Sequence, residues 1–224
     1  GHLGRTPMTL RLGMPRRLLV IAPHADDEAI GAHAMMTRLK RRGVTVQVIV
    51  VTDGAASHPS SVRWPRRRLV AERRRESRRV LRQIGVSAAG VTFLDLPDGL
   101  LHTQAIAARR GLARAIGAHG PTLIVSPAHD DDHVDHRTVA ACVEALRRPG
   151  VRMLTYPVWP AGRAVAGGGA LFLTAQERLA KRRAIRSYRT QTGCITDDPD
   201  CFTMTRTQIA AFTGPREAFV ERRR

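Results

Sequence analysis

The sequence predicts an α/β domain built on a mostly parallel sheet, with its functional site at the carboxyl ends of the strands. Two observations carry that prediction. Short apolar runs at residues 18–22, 44–51, 91–96, 123–127 and 151–159 alternate with longer stretches of helical composition, the pattern of βα units whose strands are buried on both faces. Two of these runs are also followed by clusters of histidines and carboxylates, His24 to Glu28 and Asp130 to His136. In a parallel sheet all carboxyl ends lie on one edge, so groups far apart in the chain converge there. With 224 residues and no second hydrophobic centre, the chain is expected to form one domain over residues 17–220 behind a flexible segment at 1–16.

The elements follow in order. Leu18 to Ala22 are five consecutive apolar residues between Arg17 and Pro23, and residues 29–39 are helical in composition. The acidic cluster therefore sits on a strand-to-helix turn. Residues 44–51 are β-branched at most positions; the polar loop 55–65 after them is expected to form a pocket rim, with His58 exposed. In the arginine-rich helix that follows, Leu69, Val80 and Ile84 share a face with Arg73 and Glu76, so both charged groups should point inward. An ion pair between them at i,i+3 would brace the helix. Residues 91–96 end in the turn Pro97-Asp98-Gly99, where a turn aspartate ordinarily bonds its own backbone. A helix around 104–118 and a loop at 117–121 lead to the strand 123–127, and a helix follows at 137–146. The run 151–159 reads as a fifth strand, 161–170 as a flexible connection and 174–189 as a helix. The rest reads as short irregular or strand-like segments ending in disordered arginines. No Gly-x-Gly-x-x-Gly follows the first strand and no Lys-Ser/Thr follows Gly167-Gly168-Gly169, so neither a dinucleotide nor a phosphate loop is expected.

Metal chemistry accounts for the two clusters. His24 and Asp27 are three apart on a turn entering a helix, a spacing that brings an imidazole and a carboxylate to one cation. Taken alone, acids there also suit the positive end of a helix dipole. The second cluster, with His133 and His136 one helical turn apart in the same topological position, favours the metal.

Pro23-His24-Ala25-Asp26-Asp27-Glu28 with the later His133-x-Asp135-His136 resembles the LmbE-like or PIG-L superfamily of zinc-dependent N-deacetylases, whose signatures are P-H-[PA]-D-D-E and H-x-D-H. Arg73-x-x-Glu76 with Ile84-Gly85-Val86, the run Leu94 to Gly99, and Lys181-x-x-Ala184 with Thr190-Gln191 are similar to further segments of that family, in its order. The resemblance implies a Rossmann-like three-layer sandwich. It also implies zinc held by His24, Asp27 and His136 with an open fourth position, ferrous iron suiting the same donors. Asp26 would take the proton of the attacking water. His133 would stabilise the oxyanion and, when protonated, donate to the departing amine, and Asp135 would orient one of the histidines. Arg73 would contact substrate with Glu76 as its positioning partner, and Asp98 would bond sugar hydroxyls. The chain departs from some members at Asp131, where they carry an aromatic or small residue; a negative rim at Asp130-Asp131-Asp132 favours a cationic substrate, so Asp131 is expected to bind it. Little chain remains after Gln191 to cover a pocket. The function implied is removal of an N-acetyl group from an amino sugar or glycoside-type small molecule, such as a natural-product intermediate. A mycothiol-type thiol-glycoside deacetylase or conjugate amidase is the competing reading.

The net charge of +18 is the main counter-indication. Of 37 basic residues all but Lys40 and Lys181 are arginines, ten of them between Arg63 and Arg82. A basic helix can bind nucleic acid through phosphates alone. Aromatics are only 4% of the chain, so base-stacking platforms are scarce, and a solvated helix face is the expected state. Three cysteines without a close zinc-type pair are expected to be reduced thiols. The apolar run at 18–22 is too short for a signal peptide or membrane span. A cytoplasmic protein is expected, acting on a small molecule, with neither nucleic acid nor membrane as partner and with homo-oligomerisation left open.

Overall fold

The computed structural model describes residues 8–117 and 122–222. Strands β1 (Met8–Thr9), β2 (Arg17–Ala22), β3 (Thr45–Thr52), β4 (Val91–Leu96), β5 (Thr122–Pro127), β6 (Arg152–Tyr156), β7 (Gly169–Phe172) and β8 (Arg216–Glu221) form one sheet in the order β1-β7-β8-β6-β5-β2-β3-β4. All pairs are parallel except those of β8, which runs antiparallel to β6 and β7. The helices are α1 (Asp27–Arg41), α2 (Arg66–Gln83), α3 (Ala105–Ile116), α4 (Val134–Ala145), α5 (Ala175–Arg186) and α6 (Arg206–Phe212).

The continuous apolar run of β2 has a simple cause, since both of its faces are covered. Leu18, Val20 and Ala22 enter a core shared with α1, α2 and α5, while Leu19 and Ile21 enter a second core with Ala108 and Leu112 of α3 and Val139 and Val143 of α4. Burying each of the larger side chains contributes about 1.5–3 kcal/mol. The sheet is thus the middle of three layers. After β2 the chain adds β3 and β4 on one side, then returns to place β5 on the other. The carboxyl ends of β2 and β5 therefore flank the point where strand order reverses, the crevice in which such sheets bind ligands. Both clusters lie there.

Two expectations are corrected. The supposed flexible connection contains β7, whose Ala170 and Leu171 are buried against β8. The N-terminal segment is not wholly free either, because Met8–Thr9 pairs with β7 and Leu12 is buried. Residues 1–7, most of the predicted loop at 117–121 and the terminal pair Arg223 and Arg224 lie outside the described residues. Cys142, Cys194 and Cys201 are free thiols. Among the described residues no helix is long and apolar enough to cross a membrane.

Candidate active site

The turn after β2 builds half of the site. Asp26 adopts φ 148°, a conformation that non-glycine residues rarely take and that costs on the order of 1–3 kcal/mol. Glu28 holds it there. The Asp26 N–H donates to Glu28 Oε2 at 3.0 Å, and Glu28 Oε1 accepts from Ser77 Oγ of α2 at 2.7 Å and from Tyr188 Oη at 2.6 Å. Glu28 is fully buried; it, Ser77 and Tyr188 are the functional residues that sequence reasoning missed. The available signal was Glu28 itself, a third consecutive acid with no assigned role.

Three donors meet at the floor of the crevice. His24 Nδ1, Asp27 Oδ2 and His136 Nε2 stand 3.2 Å from one another on all three sides. Four-coordinate ligands at about 2.0–2.1 Å from one ion lie about 3.3–3.4 Å apart, so this triangle fits a divalent cation without rearrangement. The fit is chemical as well, since two imidazoles and one carboxylate are the donors that zinc and ferrous iron accept. Electrostatics agree. Burial alone raises the Asp27 carboxyl, but His136 and His24 outweigh it and hold it well below its ordinary value. Burial lowers His136, yet Asp27 and Asp131 raise it to about 9. The carboxylates favour positive charge at the centre of the cluster.

The distal nitrogen of His24 is held by two other carboxylates. Asp98 Oδ1 lies 3.0 Å and Asp135 Oδ2 3.3 Å from His24 Nε2. Asp135 also accepts from Gly99 N at 2.7 Å and Leu101 N at 3.1 Å, and Asp98 from Ala56 N at 2.9 Å. Asp98, expected to meet substrate hydroxyls, therefore lines the cavity while bonding His24 and a loop amide. An N–H of a metal-binding imidazole held by a carboxylate fixes the ring's tautomer and orientation.

His133 caps α4. Its Nδ1 accepts from the Asp135 N–H at 3.2 Å, so the proton of the neutral ring is on Nε2. Burial, together with His24 and His136, lowers its pKa. Asp26 stands beside Arg73, with Oδ1 3.8 Å from Nη2. Burial pushes the Asp26 carboxyl up to about 8, against the downward pull of Arg73.

Arg73 points inward, donating to Gly54 O at 2.9 Å and Ala25 O at 3.2 Å. Gly54 has φ +69°, and a Cβ there would stand 2.5 Å from Arg73 Nη1, so glycine is what lets the guanidinium lie against the turn. Glu76 is not its ion-pair partner, contrary to expectation. Its two oxygens accept instead from Thr190 N at 3.0 Å and Thr190 Oγ1 at 2.6 Å, which satisfies a buried carboxyl without the arginine.

Two further expectations fail on side-chain direction. His58 is buried, because its loop is tied to the 197–202 segment by Ser60 N to Asp198 Oδ2, Ser61 Oγ to Asp197 Oδ1 and Phe202 N to Ser57 O. Asp131 is 1% exposed and does not form a rim: it accepts from the N–H groups of His133, Val158 and Trp159 and lies against His136. Asp130 is exposed and paired with Arg163. The acid of the triplet that reaches the cavity is Asp132.

The cavity, of about 540 Å³, has one polar wall of His24, Asp26, Asp27, Arg73, Asp98 and His133, and an apolar wall of Ile30, Trp159 and Phe202. Phe202 and Gln208 come from the chain after Gln191, so that short remainder does supply part of the wall. A space of this size accommodates a drug-sized or sugar-sized ligand.

The chain is similar to known proteins in sequence and in fold. Residues 19–146 match the family model PIG-L, GlcNAc-PI de-N-acetylase. A curated relative, 2'-N-acetylparomamine deacetylase of Streptomyces fradiae, is 29% identical over 157 residues, which span 63% of this chain and 56% of the relative. The chain thus matches little more than half the length of that protein. Among solved structures, A40926 pseudoaglycone deacetylase Dbv21 superposes with a TM-score of 0.69 at 23% identity, covering 92% of this chain and 96% of that one. The zinc-inhibited form of teicoplanin deacetylase Orf2 gives 0.59 at 20% identity, covering 79% and 85%. These structures share the fold, and the family match spans more than half of the sequence: the chain belongs to the PIG-L, GlcNAc-PI de-N-acetylase, family.

Proposed function

We propose that this chain is a metal-dependent N-deacetylase that hydrolyses the acetamide of an N-acetylated amino sugar or glycoside-type small molecule. The observation that carries the reading is the equilateral triangle of His24 Nδ1, Asp27 Oδ2 and His136 Nε2, with Asp26 and His133 lining the same cavity. The deacetylases among its relatives support it, including one that acts on an acetylated aminoglycoside precursor. Zinc is the proposed cation and ferrous iron the alternative; bound there, it would act as a Lewis acid that lowers the pKa of water to about 7 and polarises an amide carbonyl.

The chain's own residues do the rest. Asp26, in its ionised form, accepts the proton of the attacking water. His133 presents Nε2–H to the oxygen that gains charge, because its Nδ1 is occupied by the Asp135 N–H. A ring fixed in this tautomer is a hydrogen-bond donor and not a cationic acid. The proton given to the departing amine therefore returns from Asp26, and the protonated imidazole expected for His133 is not needed. Arg73 stands beside Asp26 and offsets its charge as the proton comes and goes. Asp132 at the cavity edge favours substrates that keep a free ammonium group.

The test is acetate release by metal-reconstituted protein from N-acetylglucosamine, N-acetylated aminoglycosides and N-acetylated thiol glycosides, with and without chelator. Release that chelation abolishes and added metal restores supports the reading, and the ranking of substrates chooses among its forms. No release from any acetamide by folded, metal-loaded protein overturns it.

A further inference from the structure

We propose that Asp131 is a positioning residue: it fixes the ring of His136 for cation binding and ties that ligand to His133 and to the aromatic wall of the cavity. The inference rests on the deacetylase reading only in taking His136 as a cation ligand.

All partners of this carboxylate but Val158 belong to the site. Oδ1 accepts from His133 N at 3.0 Å and stands 3.3 Å from His136 Nδ1, while Oδ2 accepts from Val158 N at 3.1 Å and Trp159 N at 2.9 Å. The side chains of Asp131 and His136 are both wholly buried. His136 Nδ1 makes no hydrogen bond of good geometry to any group, Asp131 Oδ1 at 3.3 Å included, and a buried N–H requires an acceptor. The Asp131 carboxylate is placed to supply it. With the proton held on Nδ1, Nε2 keeps its lone pair directed at His24 Nδ1 and Asp27 Oδ2. An imidazole not restrained in this way divides its population between two tautomers, only one of which can bind the cation through Nε2.

The second oxygen does different work. By holding the amides of Val158 and Trp159 it sets the strand exit after β6, and Trp159 packs edge-to-face against Phe202 and Phe212 at ring separations of 5.9 and 5.3 Å. The Trp159 carbonyl in turn accepts from Asp132 N at 3.4 Å. One side chain thus links a ligand, the oxyanion donor and the wall that faces substrate.

The experiment measures zinc affinity by chelator competition for wild type, Asp131→Asn and, as control, Asp130→Asn, whose carboxylate is exposed on Arg163. The visible spectrum of each cobalt-substituted protein is recorded alongside. Asp131→Asn retains one oxygen acceptor for the 158–159 amides and is expected to fold. Removing such a partner weakens metal binding about 10- to 100-fold; that loss, with an altered cobalt spectrum, is expected for Asp131→Asn, and no change for Asp130→Asn. Wild-type affinity and spectrum in folded Asp131→Asn overturn the proposal. Nitrogen-15 NMR of the histidines in wild-type zinc protein provides a measurement independent of any variant. A protonated Nδ1 on His136 supports the assignment and an unprotonated one contradicts it. Acetate release enters none of these readouts, so a failed deacetylase reading leaves them interpretable.

Discussion

At the scale of single residues, His133 is the proposed donor to the oxygen that gains charge. His133→Ala is expected to lower kcat about 10²–10³-fold, the usual cost of losing one oxyanion donor, with zinc stoichiometry near wild type and a loss of about 0.5–2 kcal/mol in stability from the missing α4 cap; steady-state kinetics, metal analysis and denaturant unfolding check it. Tyr188→Phe removes one of three donors from the buried Glu28 carboxylate. It is expected to cost about 1–3 kcal/mol in denaturant unfolding and to lower activity through the loosened Asp26 turn. That His24, Asp27 and His136 converge was legible in the sequence, because they are metal-type donors at short, regular spacing beside strand ends. Asp131 was not. In a run of three aspartates nothing local says which one turns inward, and here the choice is made by amides of residues 158 and 159 and by His136. His58 and Glu76 escaped for the same reason, their partners lying in the segments 197–202 and 189–191.

At the scale of elements, α1 shows how distant segments support the site. Its helical geometry breaks at Ala32, with φ −141°, and the amides of Ala34 and Met35 donate to Glu217 of β8 at 2.8 and 3.1 Å. Lys181 of α5 neutralises Glu217 at 3.0 Å, both side chains being buried. Glu217→Ala leaves that ammonium buried without its partner and is expected to destabilise the protein by about 3–5 kcal/mol, measured by denaturant unfolding. The strands from β2 to β6 and helices α1 to α5 were legible because their apolar periodicity is strong. β7 and α6 were not: β7 is four residues beside a triple glycine, and α6 only seven. β7 is paired on both sides, by β1 and β8, and elements this short take their structure from their neighbours more than from their own pattern.

At the scale of the molecule, charge and pH act on the whole fold. Seven of the nine arginines of α2 are exposed; Arg66 pairs with Asp53, Arg74 with Asp95 and Arg75 with Glu72, and Arg73 is buried in the site. Any duplex binding is therefore expected to be non-specific and to fall steeply between 50 and 200 mM salt, as fluorescence anisotropy would show. His33 is buried, and desolvation lowers its pKa to about 4 from the ordinary 6.5. The unfolded chain then binds a proton that the folded one refuses, so this contribution to stability is full above pH 6.5 and is lost as pH falls toward 4, by roughly 3 kcal/mol. Unfolding curves of wild type and His33→Gln across that window test it, the variant losing less stability on acidification. The central claim, that a cation centre and Asp26 together hydrolyse an acetamide, is tested most directly by Asp26→Asn. Metal content and acetate release from the best N-acetylated amino sugar are measured on one preparation. The variant is expected to retain one equivalent of metal and to lose about 10²–10⁴-fold in turnover. Near-wild-type turnover in folded, metal-loaded Asp26→Asn would contradict it.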